Sequence, residues 1–278
     1  MSLPDGARVL SSVGGGDINE AFHVVLSDGR EAFVKTRSDA APGEYETEAA
    51  GLRWLGEPGA LRLPEVLEVG EDYLAIQWIE RGGLGRGGEQ ELGRGLAAMH
   101  DAGSPVFGLE NPAGGARFGS LGLPNEPTGD WASFYAQRRL GPLADLCEQR
   151  GALGGAGVAA VRRVCERMAA LVGPPEPPSR LHGDLWGGNV VGDAEGHPWL
   201  IDPSAFGGHR ELDLAMLRLF GGPSQGTFDA YQEAHPLAQG WRDRVELYQL
   251  SPLLVHALLF GGSYRQAAER VAFHYGGR

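Results

Sequence analysis

Apolar positions in the first eighty residues recur mainly at every second place, the period of a strand with one covered face. "RVLSSV" and "AFHVVLS" read as strands flanking the loop "GGGDIN", and "REAFVKT" follows the turn Ser27-Asp28-Gly29. An Asp-Gly step between two such runs signals a hairpin, because glycine accepts a positive φ. In "REAFVKT" the alternation puts Ala32 and Val34 on one face, Phe33 and Lys35 on the other. The period then changes. In "EYETEAAGLRWLG", Tyr45, Ala49 and Leu52 stand at i, i+4 and i+7 of a helix. Glu48 shares their inward edge, while Glu44 and Glu46 are expected in solvent. "PEVLEVG" and "YLAIQWIE" predict two more strands.

The stretch "RGGLGRGG", residues 81–88, holds five glycines and breaks both periods. It divides the chain into an N-terminal lobe, 1–80, and a mainly helical C-terminal lobe, 89–278, with 81–88 as hinge. Helical spacing runs through "EQELGRGLAAMHDAG", "WASFYAQRRLGPLADLCEQR", "VAAVRRVCERMAALV", "ELDLAMLRLF" and "WRDRVELYQLSPLLVHALLF". The last of these reads as a core helix, with His256 a satisfied core histidine. Residues 103–129, rich in Gly and Pro, are expected as a long loop. One segment breaks the helical run: "SRLHGDLWGGNVVGDAEGHPWLIDPS", where the short apolar runs "NVV" and "PWLID" flank a turn. Strands first and helices after make an α+β chain.

Composition adds one oddity. Of 24 basic residues only Lys35 is lysine. A guanidinium is a wide planar fork and an ammonium a compact point charge, so a lone lysine in an arginine-rich chain marks a place where the two are not equivalent. The net charge of −12 supplies no basic stripe for nucleic acid. No apolar run approaches the roughly 20 residues that span a bilayer, and "MSLPDGARVL" has no signal-peptide pattern. Cys147 and Cys165 lie in helix-like segments, which points to a reducing cytoplasm rather than a disulfide framework.

Three polar side chains stand at the mouths of the two short central strands: Asp184, Asn189 five residues on, and Asp202. An aspartate can orient a hydroxyl and take its proton, while an amide oxygen and a second carboxylate can hold Mg²⁺ against phosphate oxygens. Asp-x4-Asn is also the spacing of a kinase catalytic loop. Upstream, Gly14, Gly15 and Gly16 form a loop between strands that lets phosphates approach the backbone. Lys35 and Glu48 supply the ion pair that follows such a loop in kinases. His182 is expected to bond backbone near the loop, and Arg210 and Glu211 to pair with each other.

"LHGDLWGGNV", "IDPSAFGGHRELDLAMLRLFGG", "GWRDRVELYQLSPLLVHALLFGGSY", "GGGDIN" and "LPNEPTGDWASFYAQRRLGPL" together resemble the fructosamine (ketosamine) kinase family. That family lies within the aminoglycoside-phosphotransferase-like kinases, and a tryptophan after His-Gly-Asp-Leu is typical of it. The resemblance implies a two-lobed protein-kinase-like fold that transfers the γ-phosphoryl of ATP, with Mg²⁺, to the 3-hydroxyl of a sugar joined to an amine. The acceptor would be a small glycated amine or a glycated protein lysine, and the outcome deglycation. Carried over, Asp184 is the base, and Asn189 and Asp202 hold Mg²⁺. Lys35 contacts the α/β-phosphates and pairs with Glu48. Gln77, Trp78 and Ile79 offer backbone groups to adenine, Trp186 sits beside the sugar, and Asp213 braces the catalytic loop. Residues 107–120 depart from the pattern, and "DPS" stands where protein kinases carry Asp-Phe-Gly. The competing readings are another acceptor in the same fold, an aminoglycoside, choline or other amino alcohol, and a non-catalytic nucleotide-binding protein.

Overall fold

The alternation of the first eighty residues resolves into a five-stranded sheet in the computed structural model, which describes residues 2–14, 19–110 and 115–277. Strands β1 (Arg8–Ser12), β2 (Glu20–Val25) and β3 (Glu31–Thr36) precede helix α1 (Glu44–Gly56), and β4 (Val66–Val69) and β5 (Tyr73–Gln77) follow it. The order is β1-β2-β3-β5-β4, antiparallel throughout. Val24, Ala32, Val34 and Ala75 cover one face; Phe33, Leu74 and Ile76 on the other meet Tyr45, Ala49 and Leu52 of α1. The two-residue period of β3 and the helical period of α1 thus converge on one seam.

The glycine-rich stretch after the sheet is ordered. It contains β6 (Arg81–Gly82) and the first turn of α2 (Arg86–Asp101). Next comes a hairpin, β7 (Ala116–Phe118) and β8 (Leu121–Leu123), where a structureless loop was expected over 103–129. The signal was present but short: Ala116, Leu121 and Leu123 are buried and alternate with Arg117 and Gly122.

The expected helix over 131–150 is three segments, α3 (Trp131–Phe134), a π-helical stretch Tyr135–Leu140, and α4 (Gly141–Arg150) with its proline in the first turn. Helices α5 (Gly155–Glu166) and α6 (Met168–Leu171) break at Arg167. Then follow β9 (Ser179–Leu181), a 3₁₀ turn Gly187–Asn189, β10 (Val190–Asp193), β11 (Pro198–Leu200), β12 (Phe206–Gly208) and α7 (Glu211–Leu217). Helix α8 (Gln225–Ala234) escaped the periodicity reading, as did α10 (Ser263–Gly276) after α9 (Trp241–Phe260). β10 pairs with β11 and, on its other edge, with β6, so the first residues past the sheet join the central hairpin.

Pro252 inside α9 has no N–H for the carbonyl one turn earlier. The Tyr135 hydroxyl donates to the carbonyls of Leu247 (3.1 Å) and Tyr248 (3.4 Å) at that place. The largest core lies among α4, α5, α9 and α10. A second core joins the lobes, packing Leu55 of α1 and Leu61 with Leu92, Leu96, Leu185 and Leu214. Both cysteines are free thiols. Among the described residues no helix is long and apolar enough to cross a membrane.

Candidate active site

The loop after β9 is held from below by buried hydrogen bonds. Asp213 on α7 accepts from the backbone N–H of His182 (2.7 Å) and of Gly183 (2.9 Å). Gly183 adopts a positive φ of 80°, and a β-carbon there would stand 2.1 Å from the Ser204 carbonyl oxygen, so no side chain fits. His182 is fully buried and bonds the Ile201 carbonyl oxygen through Nε2 at 2.9 Å, while its Nδ1 receives the Asp184 N–H at 3.3 Å. Those partners fix the neutral Nε2–H tautomer, and burial lowers the ring's pKa. The brace runs deeper than the sequence indicated. His100 of α2 contacts Asp213 through Nε2 at 3.3 Å and the Tyr231 hydroxyl through Nδ1 at 2.8 Å. Its only sequence signal was a polar residue on an otherwise apolar helix face.

This scaffold presents Asp184. Asn189 turns its amide nitrogen back to the Asp184 carbonyl (2.8 Å) and carboxylate (3.2 Å). Burial and the neighbouring Asp202 charge push the Asp184 carboxyl up to about 7, against the pull of the Asn189 hydrogen bond. A carboxyl tuned near neutrality can take a proton from a hydroxyl and return it.

Across the cleft, the buried Lys35 forms ion pairs with Glu48 and, at 3.0 Å, with Asp202. The three residues come from β3, α1 and the loop after β11, so this cluster exists only when both lobes contribute. Asp202 has a φ of 53°, the only positive value among the described non-glycine residues, and its side chain is 45% exposed. A strained backbone that aims a carboxylate into a cleft is typical of functional positions. Partial burial works to raise the Asp202 pKa, but the Lys35 charge more than offsets this and the carboxyl lies below its ordinary value. Glu48 is pushed up by burial and by Asp202, which opposes the pull of Lys35.

Asp202 and Asp184 each line a cavity of their own. A cleft between the lobes is lined by Phe33, Ile76, Gln77, Ile79, Val191 and Asp202. Its walls are mainly apolar, as ligand clefts are. The Gln77 and Trp78 N–H groups are already bonded to the Glu65 and Glu31 carbonyls, so of the three residues expected at the base Ile79 keeps its N–H for a ligand. The second cavity opens on Asp184 and is lined by Phe118, Leu123, Arg139, Ser251 and His256. His256, expected only as a core residue, bonds the Pro252 carbonyl through Nδ1 at 2.8 Å and lines this wall.

Trp186 is 40% exposed in the loop after Asp184, outside the lining of either cavity, its ring lying against Gly188. Gly14 leaves open space beside its backbone; Gly15 and Gly16 lie outside the described residues. Three expectations are corrected. Glu44 is not solvated: it binds Arg37 and Arg117. Glu46 is half-buried, its Oε2 without a hydrogen bond. Arg210 and Glu211 pair not with each other but with Glu176 and Arg244, because the start of α7 points them to opposite neighbours.

Asn189 and Asp202 also fit a cation bound by oxygen. The Asn189 nitrogen is committed to Asp184, which leaves the amide's carbonyl oxygen, and Asp202 gives Oδ1 to Lys35 and keeps Oδ2. Hard divalent cations take such oxygen ligands.

The profile of the fructosamine kinase family matches residues 6–274. A crystallised fructosamine-3-kinase candidate from Thermobifida fusca superposes with a TM-score of 0.88 at 40% identity, over 96% of this chain and 92% of that one. The chloroplastic protein-ribulosamine 3-kinase of Arabidopsis thaliana is 34% identical, over 96% of this chain and 82% of its own. The two-lobed kinase-like fold extends to an aminoglycoside phosphotransferase crystallised with ADP and hygromycin B. There the TM-score is 0.64 at 18% identity, over 98% and 95% of the two chains.

Proposed function

Because the chain belongs to the fructosamine kinase family, we propose that it phosphorylates the 3-hydroxyl of a ketosamine, a fructosamine or ribulosamine, using ATP. The observation that carries this reading is the pairing of two cavities: Asp202 lines the apolar cleft and Asp184 the smaller chamber, and the Asp202 charge acts on Asp184. The cleft takes the nucleotide, with Ile79 N–H facing the base and Lys35 facing the phosphates. The chamber takes the sugar, with the exposed face of Trp186 beside it in the loop after Asp184.

Asn189 and Asp202 would hold Mg²⁺, which when bound neutralises phosphate charge and orients the transferred group. Asp184 aligns the acceptor hydroxyl and receives its proton as the oxygen bonds to the γ-phosphorus and ADP departs. Lys35 offsets the charge left on the departing phosphates. Two free thiols fit a reducing compartment such as the cytoplasm.

The test is ATP consumption with a panel of fructosyl- and ribulosyl-amines, an aminoglycoside and choline, with the product mapped by NMR. Phosphorylation at the sugar 3-position of the ketosamines alone is expected. Turnover of only the aminoglycoside or choline would overturn the acceptor. Nucleotide binding without turnover of any acceptor would favour the non-catalytic reading.

A further inference from the structure

The departure noted at residues 107–120 runs into the β7–β8 hairpin, whose two faces do different things. Phe118 lines the chamber beside Asp184. Its neighbour Arg117 points the other way, as adjacent residues of a strand must, and donates from Nη2 to Glu44 Oε2 at 2.9 Å. Glu44 opens α1, and Glu48, the partner of Lys35, stands one helical turn later. β3 and α1 are thus joined by two successive ion pairs, Lys35–Glu48 and Arg37–Glu44. Arg117 adds a third member from outside the sheet.

The far end of α1 is anchored differently. Gly51 packs against Ala205, and Leu55 is buried in the core shared with α2, α7 and α8. So at one end α1 is fixed to the C-terminal lobe by apolar packing and by Arg180, which donates to the Trp54 carbonyl and to Glu57. At the other it is held there by one ion pair from a hairpin that also forms a wall of the acceptor chamber. Glu44 is 11% and Arg117 23% exposed, so water screens the pair only partly.

We propose that Arg117 is a positioning residue that couples occupancy of the chamber beside Asp184 to the alignment of Lys35 and Glu48, through Glu44. This rests on the kinase reading given above. A sugar seated against Phe118 settles the hairpin; Arg117 then holds the start of α1, and Glu48 keeps Lys35 facing the nucleotide phosphates. The coupling is reciprocal, so nucleotide and acceptor tighten each other's binding.

The experiment is calorimetric titration of ADP with Mg²⁺ into the full chain, with and without fructosyl-lysine, alongside ATP turnover in the same preparations. In the wild type the acceptor is expected to tighten ADP about 5-fold or more, the lower end of ordinary coupling. Arg117→Ala should bind ADP alone within about 2-fold of wild type, lose that tightening, and lower kcat about 10-fold. Arg117→Lys, which keeps a cation beside Glu44, should recover part of both. With Glu44→Gln already present, Arg117→Ala should have no further effect on the coupling. Undiminished tightening in Arg117→Ala, or a wild type that turns over fructosyl-lysine without any tightening, overturns the proposal while leaving the kinase reading intact. Absence of wild-type turnover of fructosyl-lysine moves the same titrations to ribulosyl-lysine, where the same outcomes decide; absence of turnover of both removes the kinase reading, and the proposal with it.

Discussion

The two halves of the site are built from different interactions. Below Asp184, the scaffold of Asp213, His182, Asn189, His100 and Tyr231 belongs to one lobe and is joined by buried hydrogen bonds. Above it, Lys35, Glu48 and Asp202 are held by charge, drawn from both lobes, around an open cleft. Buried hydrogen bonds that leave no partner unsatisfied fix geometry and resist change. A cluster of one cation and two carboxylates across a cleft is instead sensitive to whatever moves the lobes or adds charge. The lower half is therefore expected to govern folding, and the upper half transfer.

Substitutions can pull that contrast apart. The largest effect on turnover is expected at the point of contact between the halves. Asp184→Ala should lower kcat about 10²–10⁴-fold, the range for a lost general base, while ADP affinity by calorimetry stays within a few-fold of wild type. Full activity in that variant would remove Asp184 from the chemistry.

Asp213→Ala should act on folding. It strands the buried N–H groups of His182 and Gly183, each at a cost of about 1–3 kcal/mol. Urea denaturation should show a loss of roughly 2–6 kcal/mol on that principle, and an unchanged midpoint would contradict the brace.

The smallest effect concerns pH. His209 is buried beside Glu211 and Glu176, and burial pushes its pKa down to about 4. The unfolded chain, with the ordinary value near 6.5, takes up the proton first as pH falls. Stability from this residue is therefore full above about pH 6.5 and declines toward pH 4, by at most about 1.4 kcal/mol per pH unit. Melting temperature should fall between pH 7 and pH 5, and fall less in His209→Gln. Equal slopes would exclude His209 as the cause.

What the sequence revealed follows the same division. Asp184, Asn189 and Asp202 were legible because each needs a given residue type at a given spacing. Lys35 stood out because an arginine-rich chain has a single lysine, and Glu48 because helical spacing ties it to Tyr45 and Leu52. The lower half was less visible. Nothing in the local pattern around His100 shows that it meets Asp213, which lies 113 residues further along the chain. The β7–β8 hairpin was hidden for another reason: three-residue strands offer too few alternations to separate from a loop. Glu44 looked solvated because its partners, Arg37 and Arg117, lie outside the helix whose period was being read.

The contrast is tested most directly by Lys35→Arg, which keeps the charge and changes only its shape. The cluster leaves room for a compact ammonium between two carboxylates, and a planar fork cannot face both and the phosphates together. The account predicts a fall in kcat of roughly 10²-fold, the scale of one lost electrostatic contact to the transferring group, with the melting temperature nearly unchanged. Wild-type turnover in Lys35→Arg would show that charge alone suffices there and would contradict the account.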